Sequence, residues 1–71
     1  MKLIPIEMIG SGWGLYDQPK TVLLNPDQVI AVFEEKDYGQ TFTTIKVSDH
    51  YWYTKESVDS VSFKLCIGIG G

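Results

Sequence analysis

Short runs of β-branched and aromatic residues, separated by turn-forming residues, recur along most of this chain. In several runs the apolar side chains occupy every second position, which is the repeat of a β-strand because successive side chains point to opposite faces. Glycine, proline, asparagine and aspartate lie between the runs, as is typical of turns. The pattern therefore predicts a mainly β protein: a small antiparallel sheet or partly open barrel of about five to six strands with at most one short helix.

The first predicted strand covers Leu3 to Ile9. Pro5 lies within it, and because proline cannot donate a ladder hydrogen bond, this is expected to be an edge strand or a strand with a bulge. Val29 to Glu35 carries apolar residues on both faces, which indicates a strand covered on both sides. The other predicted strands are 21–24, 42–47 and 51–53.

Four connections separate these strands. The glycine-rich run Gly10 to Gly14 predicts a loop that extends through Pro19. Asn25-Pro26-Asp27 predicts a structural turn, because Asn and Asp side chains bond nearby backbone groups. Glu34 to Gln40 predicts a hairpin connection, and Ser48-Asp49-His50 predicts a turn.

The register at this last turn has two alternatives, which place Val47 opposite Tyr51 or opposite Trp52. A slip of one residue exchanges the aromatic side chains that enter the core with those that are displayed. The sequence does not choose between these two registers.

The C-terminal region fits two structures. Thr54 can cap a short helical turn over Lys55 to Ser60. From Val61 to Ile69 apolar residues alternate strictly, which favours a terminal strand, although Val58, Val61 and Leu65 also fit a helix. A strand here presents apolar side chains on one face, among them Val61, Phe63, Leu65 and Ile67.

The chain has 71 residues and one cysteine, so it is expected to be a single small domain, residues 1–71, without an internal disulfide. A core of this size rarely supplies more than about 3–5 kcal/mol, and small folds usually need an additional stabilising device. With one histidine and one cysteine, a His/Cys zinc site within one chain is excluded. Oligomerisation remains as the additional stabilising device. The expected contacts between copies are Val61, Phe63, Leu65 and Ile67.

Charge narrows the range of partners. Six Lys and Arg residues, all of them lysine, stand against nine acidic residues, and the formal net charge is −3. Binding to duplex nucleic acid needs a positive footprint and favours arginine, so it is not expected. No run is long enough for a membrane span, and a single unpaired cysteine suits a reducing cytoplasm.

The chain offers little for catalysis. His50 is expected to be a solvated turn residue, because no serine or cysteine is placed for it to activate. Cys66 lies in an apolar pattern and predicts a buried structural cysteine. Glu34, Glu35 and Asp37 lack the pattern of a calcium loop and indicate a solvated rim. We therefore expect no enzyme activity, no catalytic residues, no metal and no cofactor.

Two segments carry a resemblance to a known family. Residues 23–34 are Leu-Leu-Asn-Pro-Asp-Gln-Val-Ile-Ala-Val-Phe-Glu, and residues 53–61 are Tyr-Thr-Lys-Glu-Ser-Val-Asp-Ser-Val. Over roughly residues 21 to 61 the chain resembles the small flagellar and swarming-motility proteins, which combine an Asn-Pro-Asp element, a hairpin and a closing Glu-Ser-Val element. The resemblance implies a shared strand–turn–strand–hairpin core in a small, cytoplasmic, non-enzymatic protein tied to flagellar function.

Two functions remain from different classes. The first is a small oligomeric β-rich interaction or regulatory module that binds a protein partner. The alternative is a small-ligand binder, like viral proteins that sequester nucleotide immune signals in pockets between subunits. Exposed aromatic side chains and a glycine-rich backbone suit both functions. The candidate binding residues are Gly12, Trp13, Tyr16, His50 and Trp52.

Overall fold

The computed structural model describes residues 3–70, and the side chains of residues 3–67. Within these residues the strands are β1 (Ile4–Ser11), β2 (Gly14–Leu24), β3 (Val29–Asp37), β4 (Gln40–Val47) and β5 (His50–Thr54). The described part of the chain also contains one α-helix, α1 (Val58–Gly70), which follows β5, and a 3-10 turn, Pro26–Gln28, which links β2 to β3. The strands form one antiparallel sheet in the order β2-β1-β5-β4-β3. The predicted class, mainly β with at most one short helix, is confirmed.

The sheet is open but must curve strongly. Its two edge strands, β2 and β3, are joined directly by residues 25–28. In a flat sheet the outer two of five strands would lie about 19 Å apart, at about 4.8 Å per neighbour. A 3-10 turn advances only about 2 Å per residue. The short link therefore holds the two edges closer together than a flat sheet allows.

A bulge in the β1–β2 hairpin supplies part of this curvature. Met8 pairs with Lys20 and Gly10 pairs with Leu15, so residues 16–19 of β2 lie opposite Ile9 alone. Extra residues in one strand bend it and increase its twist. The bulge expected in β1 itself lies against β5: Met8 pairs with Thr54 and Gly10 with Tyr53, so that Ile9 is the extra residue. β1 is not an edge strand, because β5 pairs with it from Met8 onward, which leaves Pro5 paired only with β2.

The core lies on one face of this curved sheet, under α1. The helix packs against Pro26–Gln28, β3 and β1. Apolar side chains from three strands and the helix are buried together: Ile4, Ile6, Met8, Leu24, Ile45 and Val61. Burial of such side chains is the main favourable contribution to folding, at about 1.5–3 kcal/mol each.

Buried threonines attach the segment between β5 and α1 to the sheet. The Thr54 hydroxyl donates to the Glu7 carbonyl at 2.9 Å and accepts from the Glu56 amide at 3.2 Å. The Thr43 hydroxyl donates to the Glu56 carbonyl at 2.6 Å. Both hydroxyls are buried, so these bonds satisfy polar groups that would otherwise destabilise the core.

The predicted terminal strand over Val61 to Ile69 is wrong, because this segment is helical. The helix begins at Val58, so the predicted turn over Lys55 to Ser60 with a Thr54 cap is also misplaced. Ser57 caps the helix instead: its hydroxyl accepts from the Ser60 amide at 3.1 Å, and its carbonyl accepts from the Val61 amide at 3.0 Å. The side chain of Ile69 lies outside the described residues.

The predicted glycine-rich loop is also wrong in extent. β1 continues through Gly10 and Ser11, β2 begins at Gly14, and only Gly12 and Trp13 form the turn. β2 then includes the predicted loop to Pro19 together with the predicted short strand 21–24. Backbone pairing across the hairpin overrides the loop tendency of the glycines.

The β3–β4 hairpin is shorter in its turn than expected. Of the predicted connection Glu34 to Gln40, only Tyr38 and Gly39 lie outside the strands. Both have positive φ angles, 54° and 71°, which is the conformation of a type I′ turn. The polar residues before this turn belong to β3 despite their low strand propensity.

The β4–β5 hairpin also has a two-residue turn, Ser48 and Asp49. Val47 pairs with His50, and Ile45 pairs with Trp52. Both registers considered for this turn, Val47 opposite Tyr51 or opposite Trp52, are therefore wrong. The reason is that His50 belongs to β5 rather than to the turn.

Candidate functional site

The β1–β2 and β4–β5 turns meet at one end of the sheet. β1 and β5 are neighbours, and Ser11 pairs with Trp52 near this end. Beyond that pair, the Gly12 amide donates a hydrogen bond to the Tyr51 carbonyl at 2.9 Å. The tip of one hairpin is therefore fixed against the first residues of β5.

Trp13 projects from this fixed tip into solvent. Its side chain is 93 % exposed. Gly14 follows it in the chain and has a φ of +126°. Glycine adopts this backbone conformation readily, whereas a residue with a side chain would be strained in it. The backbone thus turns back into β2 without covering the indole ring.

A shallow groove of about 200 Å³ lies beside the indole. It is lined by residues from both turns and the start of β5: Gly12, Trp13, Asp49, His50 and Tyr51. We call it the tip groove. It combines an exposed indole, a phenol ring that is 38 % exposed, an imidazole and an exposed carboxylate.

His50 and Trp52 connect the tip groove to the core. Their ring centres lie 4.6 Å apart in an edge-to-face arrangement. Trp52 packs against the buried core residues, whereas His50 is half-buried at the start of β5 rather than solvated in the turn as expected. The core therefore supports the His50 side of the groove.

Tyr16 lies away from the tip groove. It belongs to the bulged part of β2 and packs against the core. The Lys20 ammonium group lies 4.7 Å from the centre of its ring. Of the predicted binding residues, Gly12, Trp13 and His50 are brought together, and Trp52 joins them through His50.

Two lining residues, Asp49 and Tyr51, were not among the predicted binding residues. The signal that could have found them is a two-residue β4–β5 turn, which places both beside the β1–β2 hairpin. Lys46 is associated with them, because its ammonium group lies 5.4 Å from the centre of the Tyr51 ring.

A second aromatic cluster occupies the other face of the sheet. Phe42 is 3 % exposed, and its ring centre lies 4.8 Å from that of Tyr53 and 6.2 Å from that of Tyr38. Burial, and then the nearby phenol and carboxylate groups, raise the pKa of Tyr53. As expected, the aromatic run at 51–53 does not enter a single core.

The four expected oligomer contacts divide between two faces of α1. Val61 is fully buried and Leu65 packs against the core. Phe63 and Ile67 point away from it and are 67 % and 50 % exposed. The expectation that all four share one exposed face is wrong, because a helix separates residues that a strand would align.

An ion pair lies beside the start of this helix. Glu56 accepts hydrogen bonds from Lys64 Nζ at 2.8 Å and from the Ser60 hydroxyl at 2.8 Å. Burial of Glu56 favours its neutral form, but the bonds from Lys64 and Ser60 outweigh it, so its pKa is lowered.

The remaining titratable candidates do not come together. Glu34 pairs with Thr43 and Glu35 pairs with Phe42, so these adjacent carboxylates face opposite sides of the sheet. Cys66 is exposed on α1 and not buried as expected. Among the described residues, no three His, Cys, Asp or Glu side chains are grouped as metal ligands.

Within residues 3–70, no helix has both the length and the apolar character that crossing a bilayer requires. Comparison of the chain with protein-family models, with curated proteins and with solved structures gave no match.

Proposed function

We propose that the protein is a small, non-enzymatic, oligomeric β-rich module that binds a protein partner through the tip groove. The observation that carries this proposal is the 93 % exposure of Trp13 on a turn fixed by the Gly12–Tyr51 hydrogen bond. An indole ring left in water contributes little to folding. Tryptophan is among the residues most enriched at the energetic centres of protein interfaces.

The rigidity of the tip supports the same function. A side chain presented on a hydrogen-bonded hairpin loses less conformational entropy on binding than one on a flexible loop. The groove beside Trp13 also offers polar groups, the Asp49 carboxylate and the His50 imidazole, for the rim of an interface.

The oligomeric part of the proposal depends on α1. Phe63 and Ile67 lie one helical turn apart on its outer face, and both are exposed. A second copy that covers them would bury apolar surface and add stability that the small core cannot supply. We therefore propose Phe63 and Ile67 as contacts between copies.

The alternative is binding of a small ligand such as a nucleotide. Ligand pockets usually enclose about 300–1,000 Å³. The tip groove is smaller, at about 200 Å³, and is open. A small-ligand pocket built on the tip groove would therefore have to be completed by a second subunit, which makes protein binding the simpler proposal for this groove.

Native mass spectrometry of the purified protein tests the two functions together. The proposal expects an oligomer of defined subunit number whose mass equals the sum of its chains. Retained small molecules, or uptake of added nucleotides with a stoichiometry set by the subunits, would instead favour the alternative. A monomer at micromolar concentration would contradict both.

Partner binding is tested by immobilising the wild-type protein and two variants and incubating each with an extract of the cells from which the protein comes. Trp13→Ala should lose a stoichiometric partner that the wild type retains. Tyr38→Ala is the matched control, because Tyr38 is also an exposed aromatic residue but lies in the turn at the other end of β4. Equal capture by wild type and Trp13→Ala would contradict the proposed site.

A further inference from the structure

We propose that the tip groove receives a cationic side chain, arginine or lysine, of the partner. The cation would lie over the Trp13 ring, with the Asp49 carboxylate as its counter-charge. This inference rests on the proposed function and names the chemistry that the partner presents to the same site.

The aromatic lining is the first argument. Trp13 and Tyr51 both line the groove, and both rings are accessible to solvent. The face of an aromatic ring carries negative potential and attracts cations, and tryptophan is the strongest acceptor of the three aromatic residues. An exposed indole therefore provides a surface that suits an ammonium or guanidinium group.

The chain itself places cations on aromatic rings of this kind. The Lys46 ammonium lies 5.4 Å from the centre of the Tyr51 ring, and the Lys20 ammonium lies 4.7 Å from the centre of the Tyr16 ring. Both distances are within the range over which a cation is attracted to a ring face. Trp13, the most exposed ring, has no such intramolecular cation among the described residues.

Charge is the second argument. Asp49 is exposed and lines the groove, so its carboxylate can accept hydrogen bonds from an approaching cation. The net charge of the chain, −3, would also attract a positive partner surface. An anionic side chain would meet the Asp49 carboxylate instead, and an uncharged apolar side chain would leave that carboxylate partly desolvated without a partner.

The Lys46 ammonium is the charge near the groove that opposes binding of another cation. Lys46 contacts the Tyr51 ring, and His50 lines the groove. The proposal therefore predicts that removal of the Lys46 ammonium group should strengthen binding of a cationic probe, whereas removal of the Asp49 charge should weaken it. A site that merely buries apolar surface would not respond in this way.

The test uses N-acetyl-arginine N-methylamide as the probe and its citrulline analogue as the neutral control of equal shape. Binding is followed by the NMR shift of the Trp13 indole N–H, which the Trp13→Phe variant assigns against that of Trp52. We expect saturable millimolar binding of the arginine probe and at least fivefold weaker binding of citrulline.

Four variants complete the test. Trp13→Ala should abolish the response of the neighbouring His50 and Tyr51 amides, Asp49→Asn should weaken binding two- to fivefold, and Lys46→Met should strengthen it about twofold. Asp17→Asn is the matched control for Asp49→Asn: it removes the same charge from an exposed β2 residue that does not line the groove, and should leave binding unchanged.

Equal binding of arginine and citrulline would overturn the inference, as would equal effects of Asp49→Asn and Asp17→Asn. Either result would leave the proposed function standing if Trp13→Ala still loses the partner. Conversely, selective arginine binding with equal partner capture by wild type and Trp13→Ala would sustain the cation site and contradict the proposed function.

Discussion

At the scale of single residues, two glycines in the β1–β2 hairpin have opposite steric surroundings. A Cβ atom added at Gly10 would lie 2.5 Å from the Gly14 carbonyl oxygen and 2.9 Å from the Leu15 Cα. Both are backbone atoms of the paired strand, so they cannot move aside without disturbing the hairpin. At Gly12 the nearest atom, in the Tyr51 ring, would be 3.9 Å away.

We therefore expect Gly10→Ala to destabilise the protein by about 1–3 kcal/mol, the usual cost of overpacking. Gly12→Ala should change stability by no more than about 0.5 kcal/mol, as is usual for surface substitutions. Urea unfolding followed by circular dichroism measures both. Equal midpoints for the two variants would show that β1 and β2 are not as close at Gly10 as described.

Glu56 determines a second property at this scale, the response to acid. Its pKa in the folded protein is below the unfolded value of 4.5, because the Lys64 and Ser60 bonds outweigh the effect of burial. A carboxylate with a lowered folded pKa adds stability that is present above its unfolded pKa and is lost as pH falls through the folded pKa.

Glu56→Gln should thus lower the free energy of unfolding at pH 7 by up to about 1 kcal/mol, since the pair is partly exposed. It should also reduce the loss of stability as pH falls below 4.5. Urea unfolding at pH 7 and pH 3 measures both effects. Lys64→Met is the control: in a protein that already carries it, Glu56→Gln should lower the free energy of unfolding by less than it does in the wild type. Equal losses in the two backgrounds would contradict an interaction between Glu56 and Lys64.

At the scale of elements, the link between β2 and β3 depends on one side chain. The Asn25 carboxamide oxygen accepts a hydrogen bond from the Asp27 amide at 3.0 Å, in the position of an N-terminal cap. Pro26 at the first position of the 3-10 turn is buried and has the φ angle that this turn requires. The predicted structural turn at Asn25-Pro26-Asp27 is confirmed.

Asn25→Ala should therefore cost about 0.5–2 kcal/mol, the range for loss of a capping side chain. Asp27→Ala is the matched control, because the capping bond uses the Asp27 amide and not its carboxylate, and it should cost much less. Thermal unfolding compares the two. If Asp27→Ala were the more destabilising of the two variants, the Asn25 side chain would not be the cap.

At the scale of the whole molecule, the proposed association of copies depends on the outer face of α1. Phe63→Lys and Ile67→Lys should each reduce the native mass towards that of the monomer without loss of far-ultraviolet dichroism, because neither side chain lies in the core. Ser62→Lys is the matched control: it adds the same charge at an exposed position of the helix and should leave the native mass unchanged.

Two outcomes would contradict the proposal that this surface joins copies of the chain. One is a wild-type protein that is already monomeric at micromolar concentration. The other is an oligomer that withstands both Phe63→Lys and Ile67→Lys. A loss of dichroism in both variants would show that these side chains support the helix itself, against their exposed positions.

The β class, the existence of hairpins between β3 and β4 and between β4 and β5, and the turn at Asn25-Pro26-Asp27 could be predicted from the sequence, whereas the β1–β2 hairpin and the turn lengths could not. The predictable features depend on neighbours in the chain: alternation sets the face of each side chain, and Asn and Pro act on backbone groups within two residues. Trp13 and His50 were also chosen as binding candidates from residue type and neighbouring residues alone, and their role in binding stays a prediction.

The helical state of residues 61–70 and the composition of the tip groove depend instead on contacts between distant segments of the chain. Val61 and Leu65 satisfy both a strand and a helix pattern, and the helix prevails because it places them against the core while pairing its own backbone groups. Asp49 and Tyr51 reach Trp13 because β5 pairs with β1, which is a contact between segments about 40 residues apart. Local patterns carry no information about such pairing, so a site built across it appears only when the chain is folded.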